Sequence, residues 1–216
     1  MTIERKSLRW NGWGPVDQPI MIPDGAPQWT WMAQALGMAS LPATKAKSLD
    51  EITMAPSRLS DELVSRLSAI VGGAQVKLDN YERAFHARGK SYHDLLYLRA
   101  GKLDAAPDAV VYPRSADEVL ALVKLASDED ITLIPFGGGS SVVGGTNAMA
   151  KSLGGMVITL DTTLMTRIIQ IDKIAMTATI EAGIYGPALE EALQKHGVTL
   201  AHYPQSFQFS TLGGWI

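Results

Sequence analysis

"IPFGGGSSVVGG", residues 134–145, decides the fold, because three consecutive glycines follow directly on an apolar run and a proline. Glycine has no Cβ, so the backbone there takes positive φ freely and another group can approach the main chain closely. Three in a row cost folding entropy that something must offset, and a ligand or a tight turn are the two explanations to separate. Upstream, "ITLIP" at 131–135 has the length and composition of a buried strand, which puts the glycines just past a strand's carboxyl end, where α/β folds commonly bind ligands. Consecutive amide N–H groups in such a turn converge on an anion, the diphosphate of a nucleotide being the usual guest. Two familiar phosphate loops fail on spacing: GxGxxG needs a glycine where Val142 stands, and a Walker A loop from Gly139 needs a lysine where Gly145 stands. The context also differs from theirs, since Ser152 to Gly155 leads towards another strand rather than into a long helix. A glycine-rich hairpin or Ω-loop without a ligand stays open on composition alone.

Working outward, "DAVVYP" at 108–113 reads as a strand, and Ser115 to Glu118 as a capping box. The helix it starts is expected to turn Val119, Leu120, Leu122, Val123 and Ala126 inward. With "ITLIP" this makes a βαβ unit, for which parallel strands are the rule. "MVITLD" at 156–161 is a further buried strand. "RIIQID" at 167–172 and "AMTATIE" at 175–181 suit a half-exposed hairpin, with Met176, Ala178 and Ile180 alternating with Thr177, Thr179 and Glu181. A last helix starts at Gly186 and Pro187, carries Leu189, Ala192 and Leu193, and closes at Gly197. Glu190 and Glu191 fall in its first turns and are assigned to the helix dipole rather than to catalysis.

Residues 1–105 read as a separate, mostly helical, loop-broken region, and residues 106–216 as a second unit. Ser60 caps a helix with Leu63, Val64, Leu67 and Ile70 on one face and Gly72 as its stop; Ser91 and Asp94 cap another before Leu95, Leu96 and Leu98. Trp10, Trp13, Trp29 and Trp31, four of the five tryptophans, crowd among glycines and prolines, which predicts a packed irregular arm.

Composition removes several function classes. A net charge of −3 leaves no basic field, which argues against nucleic acid as a partner and against electrostatic recruitment to a membrane. There is no cysteine, hence no disulfide, thiolate metal site or cysteine nucleophile. Arg5, Lys6 and Arg9 near the start are followed by no apolar stretch, so a cytoplasmic location is expected. His86 and His93 lack a third ligand at metal spacing, and no metal site is expected. Ser140 lacks the GxSxG context of a nucleophile and is cast as a phosphate donor.

A second stretch, "HYPQSFQFSTLGGW" at 202–215, places hydroxyls and glycines among aromatics. Together with "PDAVVYPRSADEV", "IPFGGGSSV", "ITLDTTLM" and "ATIEAGI", in this order and spacing, its "FSTLGGW" resembles the FAD-binding domain of the vanillyl-alcohol oxidase and p-cresol methylhydroxylase (VAO/PCMH) flavoprotein superfamily. "RWNGWG" at 9–14 and "ERAFHARGKSYHDLLYLRAG" at 82–101 are similar to the alkylglycerone-phosphate synthase group within it. The implied fold class is α+β: a VAO/PCMH-type domain, a βαβ unit plus mixed sheet, preceded by the helical, loop-rich region.

The resemblance implies FAD wrapped by Pro135, Phe136, Gly137, Gly138, Gly139, Ser140 and Ser141, and contacted by Gln205, Ser206, Phe207, Gln208, Phe209, Ser210 and Thr211. Gln205 stands where the family often has an acid. Ser140 stands where some members tether the flavin through histidine, so non-covalent FAD is expected. His202 is assigned a structural role rather than a place facing the flavin, and Trp10 and Trp13 either cover the active-site mouth or pack in the core. The implied chemistry is exchange of the acyl chain of acylated dihydroxyacetone phosphate for a long-chain alcohol, without net redox change. An FAD-dependent D-lactate or glycolate dehydrogenase, and a non-catalytic flavin-binding fragment, are the alternatives. The substrate is a small molecule or lipid; peripheral membrane contact and a homodimer are left open for the full-length protein. In the family the cofactor domain continues and a second domain holds the catalytic residues, so the chain is expected to be an N-terminal part with catalytic residues beyond Ile216 and an unprotected sheet edge.

Overall fold

The structure, a computed structural model, describes residues 5–18, 22, 25–42, 45–103, 105–149 and 154–216. The helices are α1 (Pro27–Ala35), α2 (Asp61–Val71), α3 (Asn80–Phe85), α4 (Tyr92–Arg99), α5 (Ala116–Asp128) and α6 (Gly186–Gln194); the strands are β1 (Val76–Lys77), β2 (Ala109–Val111), β3 (Thr132–Phe136), β4 (Val157–Asp161), β5 (Ile168–Asp172) and β6 (Thr177–Ile180). The caps form as their residue types require: Ser60, Ser91 and Ser115 each accept the amide three residues on, and Gly72 takes φ 90° to end α2.

The first four strands form a mixed sheet in the order β1-β2-β4-β3, with β1 antiparallel and β2, β4 and β3 parallel. The strands of the βαβ unit, β2 and β3, are therefore not neighbours, because β4, contributed later in the chain, enters between them. A strand buried at every residue suits that central slot. Pro135 is tolerated because β3 is an edge strand. Alternation divides β4 between two cores. Ile158 and Leu160 face Leu63, Leu67 and Val71 of α2 and Leu122, Leu125 and Ala126 of α5. Val157, Thr159 and Asp161 face the other way; Val157 meets Ile134 and Ala148 there, and Asp161 meets His86. Packing runs across residue 105, since β1 pairs with β2 and the Arg83 guanidinium donates to the Pro107 carbonyl at 2.7 Å.

Three expectations change. Leu120 and Val123 of α5 are exposed (69% and 49%), whereas Leu125, not singled out from the sequence, is buried. The inward stripe runs through 119, 122, 125 and 126, the positions 3.6-residue spacing aligns; Val123 lies about a quarter of a turn from its centre and Leu120 nearly opposite. In the tryptophan arm, Trp29 and Trp31 belong to a regular helix, α1, with Pro27 at its first turn where a missing N–H costs nothing. Trp10 is buried in the core, but Trp31 is 69% exposed; residues 19–21, 23 and 24 of that arm lie outside the described residues. In the hairpin β5–β6, Met176 has a positive φ of 54° in the turn and is exposed, so its alternation with Thr177 buries nothing; only Ile180 of β6 reaches a core, with Ile168, Ile171 and α6. Part of the Ser152 to Gly155 lead, residues 152 and 153, is outside the described residues. Among the described residues no helix is long and apolar enough to cross a membrane.

Candidate functional site

The glycine run leaves β3 at the carboxyl end of the sheet. Among the described residues, the amides of Gly137, Gly138, Gly139, Ser140 and Ser141 donate to no acceptor. Gly139 is buried and the other four are half-buried, so the run presents a row of donors that an anion can take up.

The glycines themselves are explained from the other side. A Cβ on Gly137 would lie 2.0 Å from Thr211 Oγ1, one on Gly138 1.7 Å from the Phe209 carbonyl oxygen, and one on Gly139 2.4 Å from the Phe136 ring. Gly139 also has φ 70°, which L side chains rarely adopt. The run is thus clasped by residues 209–211 on its Cα side while its amides stay available: a cradle that side chains would fill.

The two predicted segments are brought together. Ser206 Oγ reaches Ser140 Oγ at 3.5 Å, and Thr211 bridges to Tyr185. Within them the residues take different parts. Phe136 is buried against His86 and Phe85. Phe207 stacks on Trp215 and Phe209 leans on Trp13, so both rings serve packing. Ser210 is buried with its hydroxyl committed, donating to the Ser206 carbonyl and accepting from the Trp215 indole. Thr211 is buried against Gly137, whereas Pro135, Gln205 and Gln208 are exposed. His202 is exposed beside the Trp215 ring.

Behind the loop lies a charge cluster to which the sequence drew no attention. Asp161, fully buried at the end of β4, pairs with the Arg5 guanidinium, lies 2.9 Å from His86 Nε2 and accepts from the Thr163 amide at 2.8 Å. Burial alone would raise its carboxyl, but Arg5 and His86 outweigh that and hold it below the usual range. Burial would lower Arg5; Asp161 more than compensates and keeps it firmly charged. His86, from the C-terminal end of α3, has its other ring nitrogen 2.7 Å from the Glu82 carbonyl, and Glu82 accepts from the Tyr112 hydroxyl at 2.6 Å. His86 and His93 belong to different helices, so they share no face. A buried acid closing an apolar strand, "VITLD", was the available signal.

Lys90 closes the back of the loop: its amide donates to the Ser141 carbonyl at 2.7 Å and its ammonium to the Trp10 carbonyl at 3.0 Å. Burial, with Arg5 nearby, lowers its pKa to about 8. In α6 the dipole assignment of Glu190 gives way to a more specific role. It lies in the helix's second turn, buried, and accepts from Thr199 Oγ1 and the Leu200 and Ala201 amides, holding the approach to the second segment. Glu191, one residue on, pairs with Lys195 at the surface.

A cavity of about 380 Å³ adjoins the cradle, lined in part by Arg5, Lys77, Glu82, Tyr112, Thr163 and Tyr185. It touches the loop through Arg5, which donates to the Gly137 carbonyl (3.2 Å) and to the Tyr185 hydroxyl (3.2 Å). The combination can hold a ligand with an anionic centre and a flat or polyhydroxylated flank.

The chain is similar to known proteins over nearly its whole length. The family described as FAD binding domain matches residues 107–216. Alkyldihydroxyacetonephosphate synthase of Trypanosoma brucei brucei is 32% identical over 98% of the chain, which spans 37% of that protein's length. A solved alkyldihydroxyacetonephosphate synthase superposes with a TM-score of 0.85 at 33% identity, over 98% of this chain and 43% of that one. A solved p-cresol methylhydroxylase with substrate bound shares the fold at 19% identity, with a TM-score of 0.51 over 67% of this chain and 27% of that one.

Proposed function

The chain belongs to the FAD binding domain family, and from that premise we propose that it holds FAD non-covalently, with the amides of residues 137–141 on the diphosphate, as part of an enzyme that makes ether lipids by acyl-for-alkyl exchange on dihydroxyacetone phosphate. The observation that carries the cofactor assignment is the run of uncommitted amides clasped by residues 209–211. Main-chain N–H groups bind phosphate oxygens without a cationic side chain, which suits a loop that has none. Ser140, with Ser206 beside it, adds hydroxyl donors at the same place. The adjoining cavity, through Tyr112, Tyr185 and Thr163, takes one flank of the dinucleotide. No histidine lies within residues 134–145, consistent with an untethered flavin.

When bound, FAD supplies the electron-accepting ring system of the reaction. This chain's residues bind and orient it: the amides fix the diphosphate, and residues 209–211 fix the amides. The lipid assignment rests on the synthase relatives, of whose length the chain spans 37% in the Trypanosoma case.

Titration with FAD tests the cofactor assignment: quenched flavin fluorescence and a raised melting temperature are expected, and the absence of both defeats it. A longer protein that includes this chain is expected to release fatty acid when given a fatty alcohol and acylated dihydroxyacetone phosphate. Flavin reduction by D-lactate or glycolate instead would move the assignment to a dehydrogenase.

A further inference from the structure

We propose that Arg5 is a positioning residue for the cofactor loop, aiming the Gly138 N–H by holding the Gly137 carbonyl. The proposal rests on the assignment of FAD to this loop. A peptide unit is planar, and its C=O and N–H point in opposite directions. With the Gly137 oxygen bonded to Arg5 Nη2 at 3.2 Å, the following N–H, that of Gly138, points away from Arg5. At the far end of the run the Ser141 oxygen is held by the Lys90 amide at 2.7 Å, which fixes the next peptide plane in the same manner. Between those two anchors lie only glycine peptides and Ser140, whose planes have the most freedom to flip. The anchors therefore decide whether the amides converge on one anion or scatter.

Arg5 is itself fixed on several sides. Its guanidinium pairs with Asp161, donates to Tyr185, and lies 4.7 Å from the Phe85 ring centroid and 5.7 Å from that of Phe136. The Tyr81 hydroxyl is 2.7 Å from both the Arg5 and Leu8 carbonyls, tying down the backbone that carries the guanidinium. One nitrogen, Arg5 Nη2, meets both Asp161, where β4 ends, and the carbonyl of Gly137, the residue after β3, while Nη1 reaches Tyr185, so a segment far away in sequence sets the geometry of the loop.

Arg5→Lys separates positioning from mere stability. A lysine keeps a cation for Asp161 but lacks the second arm that bonds Tyr185 and the flat group lying over Phe85, so on its flexible stem the nitrogen facing the Gly137 oxygen is no longer held in place. Three quantities are measured on the 216-residue chain: the melting temperature, the FAD dissociation constant, and ¹⁵N order parameters of the Gly138 and Gly139 amides in FAD-free protein. With Arg5→Lys we expect a melting temperature near that of the parent, order parameters that fall from about 0.85 to below about 0.6 at those two amides, and FAD binding weakened about tenfold. Lys6→Ala, at an exposed neighbour, serves as a control and leaves all three unchanged. Unchanged order parameters and unchanged FAD affinity in Arg5→Lys overturn the proposal, and so does a uniform loss of order across the sheet with a collapsed melting temperature, which marks a purely structural role. If the parent chain binds no FAD but the two amides still loosen selectively in Arg5→Lys, the positioning stands and the cofactor assignment falls.

Discussion

The four-stranded sheet and the β5–β6 hairpin both contain apolar strand residues, yet their surroundings differ sharply. Every residue of β4 is buried, whereas three of four residues of β6 are exposed, and Ile169 and Met176 stand 62% and 74% open. The sheet has α2 and α5 against one face, and Phe85 and His86 of the α3 region against Phe136 and Asp161 on the other; the hairpin has α6 and its neighbours. Apolar alternation thus marks strands but does not say which of them will be covered. The site lies where the two regions meet, with the rigid sheet end supplying the glycine loop and Asp161, and the hairpin unit supplying Tyr185 and the clasp at 209–211.

The largest predicted contrast tests that difference in cover. Ile158→Ala in β4, at a site with no exposure, is expected to cost about 3–4 kcal/mol in denaturant unfolding, and Ile169→Ala in β5 less than about 0.5 kcal/mol. Equal costs would erase the contrast between sheet and hairpin. A step smaller is Asp108→Ala: this buried carboxylate receives the Arg58 main-chain and guanidinium N–H groups and the Val157 amide, tying residues before β2 to β4. Its loss is expected to cost about 2 kcal/mol, read from the same unfolding curves.

The loop itself allows a sharper comparison between its two halves. Gly138→Val places a Cβ where the Phe209 carbonyl already lies and is expected to weaken FAD binding at least tenfold, measured by flavin fluorescence. Gly145→Ala, whose Cβ would meet nothing nearer than 3.8 Å, should leave affinity within about twofold. The smallest effect concerns Lys90. Its folded-state pKa of about 8 lies below the ordinary 10.5, so the unfolded chain binds more protons between those values and stability contributed by this site rises with pH across that window. Lys90→Met removes the titration, and its melting temperature relative to the parent should therefore decline steadily from pH 8 to pH 10; a flat difference would show that burial does not perturb this lysine.

Much of the fold was legible because it is local. The caps at Ser60, Ser91 and Ser115 follow from a hydroxyl three residues before an orphan amide, and all six strands but the two-residue β1 follow from apolar runs bounded by turn residues. The two cofactor segments were legible as blocks, and they do meet in space. Arg5 and Asp161, however, are 156 positions apart, and nothing in the composition around either points to the other. His86 drew attention only as a metal ligand, and its partner turned out to be a carboxylate 75 positions on.

By itself the sequence determined the caps of α2, α4 and α5, which segments become β2 to β6, and that glycine is required after β3, since these depend on steric and hydrogen-bonding preferences acting over a few residues. Only the tertiary structure decided that β4 enters between β2 and β3, that residues 209–211 press against the glycines, and that an arginine near the start of the chain reaches the loop. Those are contacts between segments whose separation along the chain leaves no local trace; they are settled by which apolar faces and buried charges find cover in three dimensions.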